Sequence, residues 1–182
     1  SSLEKVLKDL RKILEDLRRE IKTVLDDLRR ILEELKRETE RVDKKSKEII
    51  ETLSELRKAG TDSRDVDRRV KEVLEESRRA VERSSRKVKK VLEDAREVVR
   101  RIEEAADKVL KDARRVLREK VEDKKKVDEA IREVEKLIEE LRRDLDRVRK
   151  TVEKLVRDLE RRNEESKRRN EKLVRKLEEE LR

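Results

Sequence analysis

The chain has 182 residues, of which 59% are charged and 32% hydrophobic, a net charge of +9, and no aromatic, Pro, Cys, Met or His residue. Such a composition, built from a few strong helix formers, favours a coiled coil or another long-helix protein. It excludes disulfides and thiolate chemistry, and it lacks the commonest general base and the soft metal ligands. We therefore expect no catalytic residue, no metal site and no cofactor.

The first stretch has an apolar pattern that returns every 18 residues, as in Val6, Val24 and Val42 or in Ile13 and Ile31. Eighteen residues in five turns is 3.6 per turn, the period of a straight α-helix, whereas a strict heptad winds helices left-handedly. Disorder shares the high charge but has no reason to keep this period. The pattern predicts one nearly straight helix over residues 2–59.

The first break in the pattern surrounds the only glycine. Gly60 follows Ala59 and stands where a left-handed residue would end a helix. Asp62 or Ser63 can then accept a hydrogen bond from the first free amides of the next helix. We expect a loop over residues 60–62 and a second helix over residues 63–120.

The second break has weaker chemistry. The periodicity fades after Leu117 and resumes at Val127, with Asp123 as the best N-cap between them and Val121 covering the end of the core. We expect a loop over residues 121–123 and a third helix over residues 124–181, in which the pattern repeats again.

Three helices of nearly equal length, joined by short loops, predict antiparallel neighbours along the chain. Each helix has an apolar stripe wide enough to be buried against two partners, so three helices can bury one another's stripes. The sequence therefore predicts an all-α fold, a long antiparallel three-helix bundle that forms a single domain over residues 1–182. We expect a monomer that requires no partner, although an oligomer or a domain-swapped assembly would bury the same apolar stripes.

Two or three polar residues interrupt the apolar pattern in each helix, at what should be a common level of the bundle. Counting from the helix ends predicts two layers seven residues apart, with a further serine between them. The first layer is predicted to contain Ser46, Ser77 and Asn170, the second contains Thr39, Ser84 and Asn163, and the residue between the layers is Ser166.

A buried hydroxyl or amide without a partner costs about 1 to 3 kcal/mol, so these seven groups must bond to one another, to helix carbonyls or to trapped water. We interpret them as a buried hydrogen-bond layer that fixes helix register, either hydrated or beside a small cavity. A small-molecule pocket is one alternative. A locally widened segment is another, because Asp43 stands where the repeat has Leu7 and Leu25.

The positive net charge makes nucleic acid a candidate partner. The excess of Lys and Arg over Asp and Glu is similar in each third of the chain, and there is neither a docking motif nor an aromatic stacking platform. We expect no specific nucleic-acid binding and only weak, salt-sensitive adhesion. No apolar run is long enough for a membrane span and no signal-peptide core is found, which predicts a soluble protein without a membrane partner or a targeting signal.

The chain resembles de novo, parametrically designed untwisted three-helix bundles. The resemblance rests on the 18-residue period, the equal helices, the aromatic-free core and repeated choices such as Lys8 to Glu15 and Asp26 to Glu33. It implies a thermostable structural scaffold without catalytic activity, made by recombinant expression in the cytoplasm. A coiled-coil or spectrin-like spacer is the natural alternative.

Overall fold

The computed structural model describes residues 2–180, and the side chains of all of these except residues 2, 177, 178 and 180. Its three helices are α1 (Ser2–Lys58), α2 (Ser63–Lys120) and α3 (Lys124–Glu180), and the described residues contain no strand. The predicted all-α fold of three long helices is confirmed. Helix α1 ends one residue before its predicted end, and residue 181, the predicted end of the third helix, lies outside the described residues.

The only glycine ends α1. Gly60 has a φ of 93°, in the left-handed region where a residue without a Cβ atom avoids steric strain. Its amide donates to the carbonyl of Arg57 and the Thr61 amide donates to the carbonyl of Leu56, both at 3.1 Å. These two bonds are those of a Schellman motif, which confirms the predicted role of Gly60.

Aspartate side chains begin the two helices that follow. The Arg64 amide donates to Asp62 Oδ1 at 3.0 Å, so Asp62 rather than Ser63 caps α2. The amides of Lys125 and Lys126 donate to Asp123 Oδ1 at 3.1 and 3.4 Å, which confirms the predicted cap of α3.

Each helix contributes one segment to each of two compact units. Unit 1 comprises Ser1–Arg29 and Leu92–Glu153, and unit 2 comprises Arg30–Val91 and Lys154–Arg182. The core of unit 1 includes the fully buried Leu117, Ile138 and Leu141. At one end of unit 2, Ile50 of α1 packs against Val66 and Val70 of α2.

Exposed ion pairs establish the chain directions within unit 1. Pairs between α1 and α3 join residues 122 and 126 apart in the sequence, a nearly constant separation, so these two helices are parallel. Pairs between α2 and α3 join residues 21, 35 and 46 apart, so these two helices run in opposite directions. The five pairs are Arg11–Glu133, Arg18–Asp144, Arg114–Glu135, Asp107–Arg142 and Glu103–Arg149.

The apolar stripe of α1 is wider than the surface that its neighbours cover. Ile13 and Ile31 belong to the 18-residue pattern, yet they are 45% and 38% exposed. Both lie beside a buried leucine, Leu14 or Leu32, which occupies the centre of the stripe. Periodicity therefore marks the face of the helix that turns inward, while the side chains at the edge of that face stay in contact with water.

None of the helices that the structure describes is long and apolar enough to cross a membrane.

Candidate functional site

The seven interrupting polar residues all belong to unit 2. Six are buried, with exposed fractions from 0 to 7%, whereas Asn170 is half-buried. The six buried residues are Thr39, Ser46, Ser77, Ser84, Asn163 and Ser166.

One hydrogen-bonded chain passes through all three helices. Asn163 Nδ2 of α3 donates to Ser84 Oγ of α2 at 3.2 Å, and Ser84 Oγ is 3.4 Å from Thr39 Oγ1 of α1. The Thr39 hydroxyl also lies 3.0 Å from the carbonyl oxygen of Leu35, which can only accept. With the single Thr39 hydrogen directed to Leu35, the Ser84 hydroxyl supplies the hydrogen between the two side chains. Each donor in this series of hydrogen bonds is thereby used.

Within this series of hydrogen bonds, Asn163 is the residue that has a polar atom without a partner. Its Nδ2 group has a second acceptor in Ser85 Oγ at 3.5 Å, but its Oδ1 atom is buried and no residue that the structure describes donates to it. An enclosed polar atom of this kind costs about 1 to 3 kcal/mol.

The other predicted layer is only partly joined. Asn170 Nδ2 of α3 donates to Ser77 Oγ of α2 at 2.6 Å. Ser46 of α1 is buried, but it makes no hydrogen bond to Ser77 or to Asn170. The prediction of a buried Asn170 is wrong, because this residue lines both of the open grooves that flank α3 and so remains accessible to water.

Ser166 bonds to a residue that the sequence reasoning left outside the layer. Its hydroxyl donates to Asp43 Oδ1, and Arg169 donates to Asp43 Oδ2 at 3.3 Å. The Asp43 side chain is 22% exposed, so it reaches inward to Ser166 and outward to Arg169. Its departure from the apolar pattern was the available signal, and the structure bonds Asp43 to Ser166 in a cluster separate from the bonds of Asn163, Ser84 and Thr39. Ser85 is a second missed residue, adjacent to Ser84 in the sequence.

Two open grooves lie beside the network. The groove between α1 and α3 has a volume of about 750 Å³, and the groove between α2 and α3 has a volume of about 1010 Å³. Ser85, Asn163 and Asn170 line the second groove. Because the free Asn163 oxygen is enclosed, a molecule in that groove would reach the other two side chains and leave this oxygen without a partner.

The chemistry available within the network is hydrogen bonding by neutral groups. Ser, Thr and Asn side chains do not titrate near neutral pH, and the nearby carboxylate, Asp43, is already bonded to Ser166 and Arg169. Among the residues that the structure describes, no cluster of His, Cys, Asp and Glu could hold a metal ion.

Comparisons with known proteins agree with the architecture. No protein-family model and no curated protein matches the chain. A solved structure described as a computationally designed three helix bundle matches 98% of this chain and 88% of its own, with a TM-score of 0.61 and 19% sequence identity. This likeness shows a three-helix bundle fold, and the chain resembles a designed one.

Proposed function

We propose that the chain is a designed structural scaffold, in which a buried hydrogen-bond network holds unit 2 in one packing arrangement. The observation that carries the proposal is the chain of bonds from Asn163 through Ser84 to Thr39, which takes one residue from each helix. The 18-residue pattern and the likeness to a designed bundle support the same origin.

The network acts by making other packings costly. In the observed register, the buried Asn163 amide and the Ser84 hydroxyl each face an acceptor on a neighbouring helix, and the Thr39 hydroxyl is bonded within α1. A shift of one helix by a turn would place these hydroxyl and amide groups against apolar side chains, at a cost of about 1 to 3 kcal/mol for each group left unpaired. Buried polar residues set register in coiled coils in the same way.

A scaffold of this kind catalyses no reaction and needs neither a cofactor nor a partner. The support is chemical, because the buried groups are neutral hydroxyls and amides, and the chain has neither His nor Cys. A small-molecule pocket is less well supported, since the enclosed Asn163 oxygen is not available to a ligand in the adjacent groove.

The first test replaces the network with the apolar residues found 18 positions away in the repeat. The eight substitutions are Thr39→Ile, Asp43→Leu, Ser46→Leu, Ser77→Ala, Ser84→Ile, Asn163→Leu, Ser166→Val and Asn170→Val. We expect circular dichroism to show unchanged helicity, and denaturant titration to show an equal or larger free energy of unfolding, because replacing whole polar sets by packed apolar ones is often neutral or favourable. Loss of helicity would contradict the proposal.

The second test measures uniqueness of packing. The chain has no cysteine, so Lys47→Cys on α1 and Glu76→Cys on α2 introduce the only two attachment sites for spin labels in unit 2. We expect electron–electron double resonance to give one narrow distance in the parent chain and a broader or double distribution in the apolar variant. A matched pair in unit 1, Lys12→Cys and Lys111→Cys, should give the same width in both backgrounds. Equal widths in unit 2 would refute a register role.

A further inference from the structure

The net charge of the chain belongs almost entirely to unit 2. Unit 1 contains 27 Lys and Arg against 26 Asp and Glu, whereas unit 2 contains 31 against 23. The even distribution expected from the sequence holds for whole helices, but α2 and α3 carry most of their basic excess in unit 2, whereas α1 divides its small excess equally between the units.

Three helix segments around the polar network hold this excess. Residues 36–47 of α1 have six basic and three acidic side chains, residues 77–90 of α2 have seven and one, and residues 161–176 of α3 have eight and three. The bonds from Asp43 to Ser166 and from Ser84 to Asn163 bring these segments side by side. A concentration of one sign of charge at this level attracts counter-ions and polyanions.

The groove between α1 and α3 is more basic than the groove between α2 and α3. Eight Lys and Arg side chains and three carboxylates line it. Two of these carboxylates are already neutralised, because Arg162 donates to Glu40 at 2.6 Å and Arg169 donates to Asp43 at 3.3 Å. Five lysines of the groove form no ion pair with any residue that the structure describes, namely Lys36, Lys44, Lys47, Lys172 and Lys176.

We propose that this groove of unit 2 binds double-stranded DNA through its phosphates, independently of base sequence. The basic segment of α3 extends over roughly 24 Å, along which a duplex presents about 14 phosphate charges. A duplex suits the groove better than a single strand, because the chain has no aromatic side chain on which unpaired bases could stack. The lysine side chains are separate from the buried hydrogen-bond network, so binding does not depend on the role of that network.

The test is a fluorescence-anisotropy titration with a labelled duplex of 20 base pairs. If five lysines each neutralise one phosphate, the logarithm of the binding constant should fall with the logarithm of salt concentration with a slope of about −4.5, a loss of roughly 500-fold between 0.05 and 0.2 M salt. Two duplexes of unrelated sequence should bind equally. Tighter binding of a single strand, equal binding of polyglutamate of the same charge, or no binding at 0.05 M salt would overturn the proposal.

A matched pair of variants separates the groove from net charge. Lys44, Lys47, Lys172 and Lys176 are replaced by Gln in one variant, and the exposed Lys5, Lys8, Lys12 and Lys22 of unit 1 are replaced in the other. Both variants lose four charges. We expect the groove variant to bind the duplex at least tenfold more weakly, with a salt-dependence slope reduced in magnitude by about 3.6. The binding constant of the unit 1 variant should change less than threefold. A third variant with Arg at the four groove positions should bind as the parent does. Equal losses in the two Gln variants would refute a groove site.

Discussion

Ser84 is the central residue of the network, because it joins two other helices through one oxygen. It accepts from Asn163 and bonds to Thr39, whereas Thr39 has a further acceptor within its own helix, the Leu35 carbonyl. We predict that Ser84→Ala lowers the free energy of unfolding by about 1 to 3 kcal/mol, since the buried Asn163 amide loses its nearer acceptor. Thr39→Val should cost less than about 1 kcal/mol, because the Ser84 hydroxyl loses only a long bond of 3.4 Å and valine conserves the shape of threonine. Chemical denaturation of both variants measures the difference.

Ser63→Ala is the control for this comparison. Ser63 is exposed in the first turn of α2, where the cap is Asp62, so its hydroxyl should contribute less than about 0.5 kcal/mol. A larger loss in Thr39→Val than in Ser84→Ala would contradict the order of bonds in the network.

Glu97 of α2 lies in unit 1 and has the clearest titration effect in the structure. A hydrogen bond from Arg100 at 2.8 Å, together with the positive charge of that guanidinium, lowers the pKa of the Glu97 carboxyl from its ordinary value of 4.5. A lowered pKa in the folded state means that this stabilisation is present above pH 4.5 and is lost as the pH falls through the lowered value. We predict that Arg100→Gln returns the pKa of Glu97 towards 4.5, as measured by carbon NMR of the carboxyl group. Arg101→Gln should have a smaller effect, and the reverse order would contradict the assignment.

The membership of the network could be predicted from the sequence only where a residue type changed from apolar to polar at a repeat position. Ser84 and Asn163 gave that signal and are bonded to each other. Asp43 gave the same signal, but a charged side chain at a repeat position is equally compatible with a position that is exposed to solvent. Ser85 could not be identified, because its position is not apolar in the repeat. The exposure of Asn170 depends on how widely the helices separate beside α3, which periodicity does not encode.

At the scale of the helices, the break after α1 depends on the backbone conformation of Gly60. A Cβ atom added there would meet nothing within 4 Å, so the cost of a side chain comes only from the left-handed φ. We predict that Gly60→Ala lowers the free energy of unfolding by about 1 kcal/mol. Gly60→Asn should cost less, because Asn adopts this conformation more readily. Thermal unfolding of both variants is the measurement, and an Ala variant as stable as the parent would show that the loop adopts another conformation.

Helix positions were more predictable than side-chain burial. Gly60 and Asp123 act through bonds to neighbouring backbone groups, so short sequence patterns identify them. The exposure of Ile13 and Ile31 depends instead on the angle at which two other helices contact α1. An 18-residue period gives the apolar face of a helix, but it does not say where the contact with each neighbour ends.

At the scale of the whole molecule, the two units differ in both core chemistry and charge. The buried polar network lies in unit 2, which also carries 31 basic and 23 acidic residues, whereas unit 1 has 27 and 26. Repulsion between like charges opposes folding, and salt screens this repulsion when the charges are exposed. Regions with fewer buried apolar contacts also open at lower free energy.

We therefore predict that backbone amides of unit 2 exchange with solvent through lower-energy openings than those of unit 1. In 0.02 M salt, hydrogen-exchange NMR or mass spectrometry should show weaker protection at the centres of the unit 2 helix segments, such as residues 39–46, than at comparable positions in unit 1, such as residues 10–17. Raising the salt to 0.5 M should narrow the gap, because screening relieves repulsion mainly in the basic unit. The apolar variant of the network should narrow this difference in protection further, through an effect that does not depend on salt. Equal protection of the two segments at low salt, or a gap that salt leaves unchanged, would show that charge does not set the stability difference between the units.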